Sequence, residues 1–277
     1  MKRNLFSLFS ALLMCFCFVA CNVSQEQQGL STERFELTEV TCLKEGVTDS
    51  MHLHVVVNYP TEIDGVSAEA LRNIQSSLIK HSLGEDYLQY ASVNEMLVHF
   101  AEDVLKEYRR DNLPLYEEMG EDEDFSMNLS NEHFLVVGPM TDEGGVLSFS
   151  VERYLYLGGA HGINNRIFLN FDKQTGRVLS EQDVFVDGAT EALTHLLLLN
   201  LVRQNDDLSL ISDVESSDYE KESIRPNGNF YFAPEGVVYI FNPYEIGPYS
   251  LGETNICIPV EEIKPYVKAE WNLYVVK

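Results

Sequence analysis

The chain has 277 residues, of which 45% are hydrophobic, and this is enough for a packed core in one large domain or two small ones. The composition excludes a disordered or collagen-like chain. Acidic residues outnumber basic residues by 44 to 19, and the formal net charge is -25 at pH 7. A fold-wide basic surface for phosphates is therefore excluded, and we expect no nucleic-acid partner.

The first residues have the pattern of a secretory leader. Lys2 and Arg3 precede a mostly apolar run, which at about 15 residues is shorter than the ~20 residues of a membrane-spanning helix. The run ends in Phe18-Val-Ala-Cys21, which resembles a bacterial lipobox. We predict a lipoprotein signal peptide over residues 1–20 and lipidation of Cys21. The alternatives are a plain secretory signal and an uncleaved anchor.

A lipidated Cys21 would tether a soluble domain to a membrane of the cell envelope, on the periplasmic side or at the cell surface. Residues 21–34 are polar and lack periodicity, so we predict a flexible tether there. We place an N-terminal α+β region at residues 35–144 and a C-terminal α+β region at residues 145–277.

Two cysteines remain in the predicted mature domain, Cys42 and Cys257. In an oxidising compartment this pair could form a disulfide that closes a long loop. Two buried free thiols are the equal alternative. Neither cysteine belongs to a CxxC pair, so structural zinc bound through sulfur has little support.

The start of the N-terminal region predicts a strand followed by a helix. Residues 51–59 alternate between apolar and polar, which is typical of a half-buried strand, and Pro60 is expected to end it. Ser67 is the predicted N-cap of a helix that carries one apolar stripe and ends near Gly84.

A second helix is predicted from the capping box of Ser92 and Glu95, and its apolar positions recur at helical spacing up to Tyr108. Residues 110–131 are largely polar and are predicted to be a loop. Its acidic run, Glu121 to Asp124, could attract calcium or a cationic protein, but it lacks the glycine and terminal glutamate of an EF-hand loop. A solvated acidic loop is the plainer interpretation.

The C-terminal region has the pattern of hairpins and one long helix. Strand-like segments occupy residues 133–138, 145–157, 166–171, 229–232, 237–241 and 255–260. The leucine-rich residues 189–203 predict a helix, and a short helical turn is expected after Val260. Because most strands are joined by short turns, we predict an α+β fold with antiparallel sheet hairpins packed with about three main helices.

Several motifs of the C-terminal region resemble a known family. The stretch from Tyr154 to Gly162, with Leu-Gly-Gly-Ala-His at its centre, is followed by Asn170-Phe-Asp and Asp183-Val-Phe, and later by Phe241-Asn-Pro-Tyr-Glu-Ile-Gly-Pro-Tyr249. In order and spacing these motifs resemble the family catalogued as domain of unknown function 3298 (DUF3298). The resemblance covers about residues 145–268.

The N-terminal region is similar to a partner region of that family, catalogued as 4163. The resemblance lies in a strand ending Asn58-Tyr-Pro60 ahead of a helix that contains Asn73 and Ile74. Proteins with both regions include lysozyme-sensing membrane anti-sigma factors, in their extracellular part, and some peptidoglycan deacetylases, in their non-catalytic part. The resemblance implies an envelope-facing binding module.

Gly158, Gly159 and His161 form the chemical centre of the first motif. Adjacent glycines permit positive φ angles or a close backbone approach. A neighbouring histidine could bind a ligand, donate a proton or ligate a metal. The plainer interpretation is a strand bend in which His161 hydrogen-bonds to the backbone, because no paired nucleophile or carboxylate specifies a reaction.

A second histidine pair, His52 and His54, lies two residues apart in the predicted strand. Both side chains should therefore point to one face, about 7 Å apart, a spacing that could hold one metal ion. Two polar residues on a solvated face are the plainer interpretation. We expect no cofactor, since no P-loop, HExxH or GxSxG sequence is present.

Aromatic residues are concentrated near the end of the chain, at Tyr239, Phe241, Tyr244 and Tyr249. They could stack on sugar rings or anchor a protein partner, although packing in the core or in turns is the commoner role of such residues. Tyr239, Tyr244 and Tyr249 are therefore candidate ligand-binding residues together with the Gly-Gly-Ala-His motif.

These observations lead to a first hypothesis of a lipid-anchored binding module of the cell envelope that recognises a cationic protein such as lysozyme, or a wall glycan such as peptidoglycan. The strongly acidic charge would speed the encounter with a cationic partner. The alternatives are an envelope polysaccharide hydrolase or metal-dependent enzyme acting through His161, and a structural lipoprotein.

Overall fold

A computed structural model of the chain describes residues 29–119 and 128–271. The predicted leader, Cys21 and the acidic run at residues 121–124 lie outside these ranges. The strands are β1 Leu30–Cys42, β2 Ser50–Ile63, β3 Asn131–Glu143, β4 Val146–Tyr156, β5 Ile163–Asp172, β6 Val178–Leu179, β7 Phe230–Ala233, β8 Gly236–Phe241 and β9 Thr254–Pro259. The helices are α1 Ala68–Ser82, α2 Val93–Met119, α3 Glu181–Val184, α4 Thr190–Gln204 and α5 Val260–Ile263. Short 3₁₀ helices lie at Glu85–Gln89, Ile211–Ser216, Lys221–Ser223, Tyr249–Leu251, Lys264–Tyr266 and Ala269–Trp271.

The strands form a six-stranded sheet in the order β1-β2-β3-β4-β5-β6 and a three-stranded sheet in the order β7-β8-β9. All neighbours are antiparallel except β2 and β3. The chain passes through α1 and α2 between these two strands, and such a crossover is what a parallel pair requires. The α+β class and the hairpins are confirmed, and the parallel pair is an addition to the predicted pattern.

Helices α1 and α2 cover one face of the six-stranded sheet. Ser67 caps α1 as predicted, since its hydroxyl accepts a hydrogen bond from the amide of Ala70 at 3.1 Å. Ser92 likewise accepts from the amide of Glu95 at 3.2 Å, and the Glu95 carboxylate reaches back to the amide of Ala91. The main core is the apolar layer between these helices and the sheet.

Helix α2 continues through Pro114 to Met119, so the loop predicted from residue 110 onward is wrong for residues 110–119. Asn112 is buried and donates from its side chain to the carbonyl of Tyr108 at 2.9 Å. Leu113 packs against a small apolar cluster next to the main core. Proline has no backbone N–H to donate within the helix, and this tertiary packing stabilises the helix in spite of the missing hydrogen bond.

The first strand begins at Leu30, which is buried, so the flexible tether predicted to residue 34 is wrong for residues 30–34. Strand β2 also continues through Pro60 to Ile63. Its parallel pairing with β3 ends at Val57, so Pro60 removes no hydrogen bond on that side. The boundary expected between residues 144 and 145 falls between β3 and β4, and the two predicted regions therefore share one sheet.

Helix α4 forms on the segment predicted as the leucine-rich helix. In the C-terminal unit it packs against the three-stranded sheet. Leu193, Leu197 and Leu201 of α4 join Phe230 and Tyr239 in a second core. No helix among the described residues has the length and apolar content that a membrane crossing needs.

Buried asparagines join the two sheets along the outer edge of β5. Asn242 accepts from the amide of Arg166 at 2.7 Å and donates to the carbonyl of the same residue at 3.1 Å. Asn229 accepts from the amide of Phe168 at 3.0 Å. Since β6 pairs only with the end of β5, these side chains satisfy backbone groups that would otherwise be unpaired at a buried edge.

Candidate binding site

The face of the six-stranded sheet opposite the helices is only partly covered by the small sheet, and aromatic rings cross its open part. His54, Phe134 and Tyr154 lie directly opposite one another on β2, β3 and β4. The ring centroids are 6.3 Å apart for His54 and Phe134, and 5.5 Å apart for Phe134 and Tyr154. Phe134 is 38% exposed although it is apolar.

The rings continue from the sheet onto the C-terminal unit through Gly162. The ring of Tyr154 lies so close to Gly162 that a Cβ there would be 2.4 Å from it. The hydroxyl of Tyr249 donates to the Gly162 carbonyl at 2.9 Å. His161 stacks on Tyr249 at 3.8 Å, and Tyr244 follows at 5.6 Å from Tyr249. We call these six residues the aromatic row: His54, Phe134, Tyr154, His161, Tyr249 and Tyr244.

The two glycines predicted at this centre shape the loop that carries His161. Gly158 and Gly159 have φ angles of 83° and 96°, in the left-handed region that favours glycine. A Cβ at Gly158 would also lie 2.5 Å from the carbonyl oxygen of Asn128. The glycines therefore set the course of the loop. Having no side chains, they border the aromatic row with backbone atoms only.

The His161 imidazole hydrogen-bonds through Nδ1 to the carbonyl of Gly162 at 3.0 Å, which makes Nδ1 the donor. In the described part of the chain, no carboxylate hydrogen-bonds to His161. The geometry matches the plainer of the two interpretations, a backbone-bonded histidine, and the stacking on Tyr249 adds a contact surface.

Tyr244 is held in an unusual backbone conformation. Its φ angle is 74°, and it is the only described residue other than glycine with a positive φ. A bulky residue in this region is strained by about 1 to 3 kcal/mol. Asn242 maintains the conformation, because its carbonyl accepts from the amide of Glu245 at 3.0 Å and its side chain is fixed on Arg166. The turn presents the Tyr244 ring, 56% exposed, at the end of the row.

Carboxylates border the aromatic row. Arg166 lies between Glu152, at 3.1 Å, and Glu253, at 3.4 Å. Partial desolvation and the charge of Glu132 raise the pKa of the Tyr154 hydroxyl, so this group is a neutral hydrogen-bond donor. The site thus combines apolar ring faces with acceptor groups at its edges.

One predicted ligand residue does not belong to the site. Tyr239 is fully buried in the C-terminal core, with its ring 5.5 Å from that of Phe230, so its assignment as a ligand-binding residue is wrong. Burial and the charge of Glu181 raise the pKa of its hydroxyl well above the usual value. Tyr239 lies on β8, a strand of the small sheet that is buried on both faces. The local sequence does not indicate whether such a tyrosine points into the core or to a surface.

The histidines considered for a metal are bound to their neighbours on the strands. His52 contacts the hydroxyl of Ser50 at 3.1 Å, and His54 contacts that of Thr38 at 2.9 Å. Residues 29–119 and 128–271 contain no group of three potential ligands that could hold a metal ion. His54 instead contributes to the aromatic row.

The two cysteines are free thiols in the structure, so the predicted disulfide alternative is not formed. Cys42 ends β1 at the outer edge of the large sheet and is exposed, whereas Cys257 lies on β9 of the small sheet and is half-buried. Burial, followed by the charge of Glu235, raises the pKa of the Cys257 thiol.

Phe134 was not among the predicted site residues, and Tyr154 appeared only within a motif. Phe134 and Val136 alternate with the buried Leu135 and Val137. A second apolar face on a strand is the signal that could have indicated an exposed contact surface.

Comparison with known proteins supports the C-terminal resemblance over part of its range. Residues 182–261 match the family model described as "Protein of unknown function (DUF3298)", and they form a DUF3298 domain. This range contains Tyr244 and Tyr249, while the remainder of the aromatic row lies before it. No curated protein matches the chain.

Two solved structures resemble the whole described fold. A crystal structure of a member of the DUF3298 family from Bacteroides fragilis NCTC 9343 has a TM-score of 0.79 and 26% sequence identity, and the match covers 88% of this chain and 96% of that one. A DUF3298 family protein from Pseudomonas aeruginosa PAO1 has a TM-score of 0.56 and 20% identity, covering 87% of this chain and 96% of that one. The second likeness concerns the fold alone.

Proposed function

We propose that this chain is a binding module of the cell envelope, held to a membrane by lipid on Cys21, whose aromatic row binds a wall glycan. The observation that carries the proposal is the row itself. The rings of His54, Phe134 and Tyr154 cross three adjacent strands in register, with Phe134 exposed and the other two half-buried, and the row continues to Tyr249 and Tyr244.

Such a row suits a chain of sugar residues. The apolar faces of pyranose rings pack on aromatic side chains, and the row sets such side chains 5.5 to 6.3 Å apart, some stacked on each other and some edge to face. Glu152, on the same face of β4 as Tyr154, can accept hydrogen bonds from sugar hydroxyls. Because the rings are fixed on a sheet and a hydrogen-bonded turn, binding would cost little ordering of the site.

A cationic protein such as lysozyme is the second candidate ligand, and the net charge of -25 favours it. This charge would steer a basic partner toward the module and make the association sensitive to salt. Tyrosines in a contact surface also suit a protein interface. In that case the aromatic row would be the contact surface that anchors the protein partner.

The test is a calorimetric titration of the chain from residue 22 onward, which contains every described element, with soluble peptidoglycan fragments and separately with lysozyme. Each titration is made at low and at physiological salt. We expect saturable glycan binding that persists at physiological salt. Binding of lysozyme alone would select the second candidate, and binding of neither would leave a structural lipoprotein.

Tyr249→Ala has a matched control in Tyr90→Ala. Both tyrosines stack on a histidine, Tyr249 on His161 at 3.8 Å and Tyr90 on His99 at 4.0 Å, but Tyr90 precedes α2 on the other side of the sheet. We expect Tyr249→Ala to weaken glycan binding about tenfold and Tyr90→Ala to leave it unchanged. Equal effects of the two substitutions would contradict the assignment of the row.

Two further assays address the remaining parts of the proposal. The native chain should incorporate a labelled fatty acid and Cys21→Ser should not, and a native chain without label would overturn lipidation. Release of reducing ends from peptidoglycan, lost in His161→Ala, would favour the hydrolase alternative over pure binding.

A further inference from the structure

A cleft of about 720 Å³ lies on the helix-covered side of the six-stranded sheet, opposite the aromatic row. It opens between α2 and one end of strands β2, β3 and β4. Arg153 and Tyr154 are consecutive residues of β4, so their side chains point to opposite faces, Arg153 to the cleft and Tyr154 to the row. The apolar wall of the cleft consists of Met51, Leu83, Phe100, Val104, Leu155 and Leu157.

Unpartnered polar atoms are concentrated at this cleft. Six buried side-chain nitrogen or oxygen atoms of the described residues have no hydrogen-bond partner. Four of the six belong to residues that line the cleft: Tyr108 Oη, Asn131 Oδ1, His133 Nε2 and Arg153 Nε. Buried polar groups are normally paired, so four unpaired atoms in the wall of one cleft set it apart from the rest of the described fold.

Arg153 provides a positive charge at the base of the cleft. Its Nη2 donates to the carbonyl of Ser82 at 2.6 Å, and no carboxylate of the described residues forms an ion pair with it. Burial, followed by the charge of Arg153, lowers the pKa of His133 to about 4. His133 is therefore neutral at neutral pH, and Arg153 is the cation at the base.

The mouth of the cleft is acidic. Its charged residues are Asp86, Asp103, Glu107 and Asp111, together with Lys106 and Arg110. Arg110 pairs with Asp111 at 2.8 Å. The charge thus changes from positive at the base to negative at the mouth.

We propose that this cleft binds a short apolar peptide, with its C-terminal carboxylate on Arg153. The Arg153 guanidinium donates to the carboxylate. The side chain of the ligand packs on the apolar wall around Phe100. Its ammonium group faces the carboxylates at the mouth.

The charges also select against other anions. A doubly charged phosphate would gain from Arg153, but it would have to pass a mouth that holds four carboxylates and two cations, which is unfavourable. A zwitterion with a single carboxylate meets charges of the opposite sign at both of its ends. The volume of the cleft lies within the range of small-molecule sites and is large enough for a dipeptide.

The experiment is a calorimetric titration of the chain from residue 22 onward with leucyl-leucine, with its C-terminal amide and with its N-acetyl derivative, each to about 10 mM. We expect saturable binding of leucyl-leucine and a loss of about 10- to 100-fold in affinity for the amide, which lacks the charged group that Arg153 recognises. The N-acetyl derivative should bind more weakly than leucyl-leucine and more tightly than the amide.

Arg153→Gln should abolish the preference for the free carboxylate, while the exposed Arg203→Gln serves as the matched control. Should Arg153→Gln fail to fold, the comparison of the dipeptide with its amide on the native chain still decides the question. Equal affinity for the two, or no saturable heat with leucyl-leucine, would overturn the proposal. Tyr249→Ala should leave this binding unchanged, which separates it from the proposed glycan site.

Discussion

The phenol ring of Tyr154 lies directly over Gly162, and a Cβ added to this glycine would be 2.4 Å from the ring. Only a glycine permits this approach. The contact connects the strand part of the aromatic row with Tyr249, whose hydroxyl donates to the carbonyl of the same glycine at 2.9 Å. The geometry of the row therefore depends on the absence of one side chain.

Gly162→Ala should displace the Tyr154 ring and weaken glycan binding by about 3- to 10-fold, since one stacking platform is lost. The measurement is a titration with peptidoglycan fragments. Gly159→Ala is the control: a Cβ there has open space around it, and its φ of 96° costs backbone strain without displacing a ring. An unchanged affinity of a folded Gly162→Ala protein would show that the ring position is unimportant.

Tyr244→Asn should weaken glycan binding while it leaves the free energy of unfolding within about 1 kcal/mol of the native value. Asparagine tolerates the left-handed backbone better than tyrosine does, and this gain offsets the lost ring contact with Tyr249. Chemical denaturation and titration measure the two quantities. A large loss of stability would instead mark Tyr244 as a packing residue.

The pKa of His133, lowered to about 4 by burial and then by the charge of Arg153, predicts a loss of stability in acid. In the unfolded chain this histidine takes up a proton near pH 6.5. The contribution is fully present above pH 6.5 and is lost as the pH falls toward 4, because the unfolded state then binds more protons. It amounts to at most about 3 to 4 kcal/mol.

Denaturation of the native protein and of His133→Gln at pH 7 and pH 4.5 measures this contribution. We expect the native protein to lose more stability than the variant over this interval. An NMR titration of the His133 ring gives its pKa directly, and a value above 6 would contradict the buried, neutral state.

The free thiols predict the order of chemical labelling. In the chain from residue 22 onward, Cys42 should react first, because it is exposed. Cys257 should react slowly until the protein unfolds, because it is half-buried and burial raises the pKa of its thiol. Mass spectrometry after labelling without reductant counts the labelled cysteines. A protein that labels only after reduction would contain the disulfide after all.

Local patterns in the sequence were sufficient for most helices and strands. The hydroxyls of Ser67 and Ser92 begin α1 and α2 where the capping patterns predicted, and period-2 alternation located β2. Pro114 misled the prediction of α2, since proline opposes a helix locally while the packing of its neighbours maintains one.

The sequence by itself determined the α+β class, the hairpins and the glycine-rich bend ahead of His161, because each depends on residues close together in the chain. Only the tertiary structure decided which rings meet. His54, Phe134 and Tyr154 become neighbours through the parallel pairing of β2 with β3 and the antiparallel pairing of β3 with β4. Periodicity indicates that successive side chains of a strand point to opposite faces, but strand order and register decide which residues lie beside each of them. For the same reason only the fold places Arg153 in a cleft.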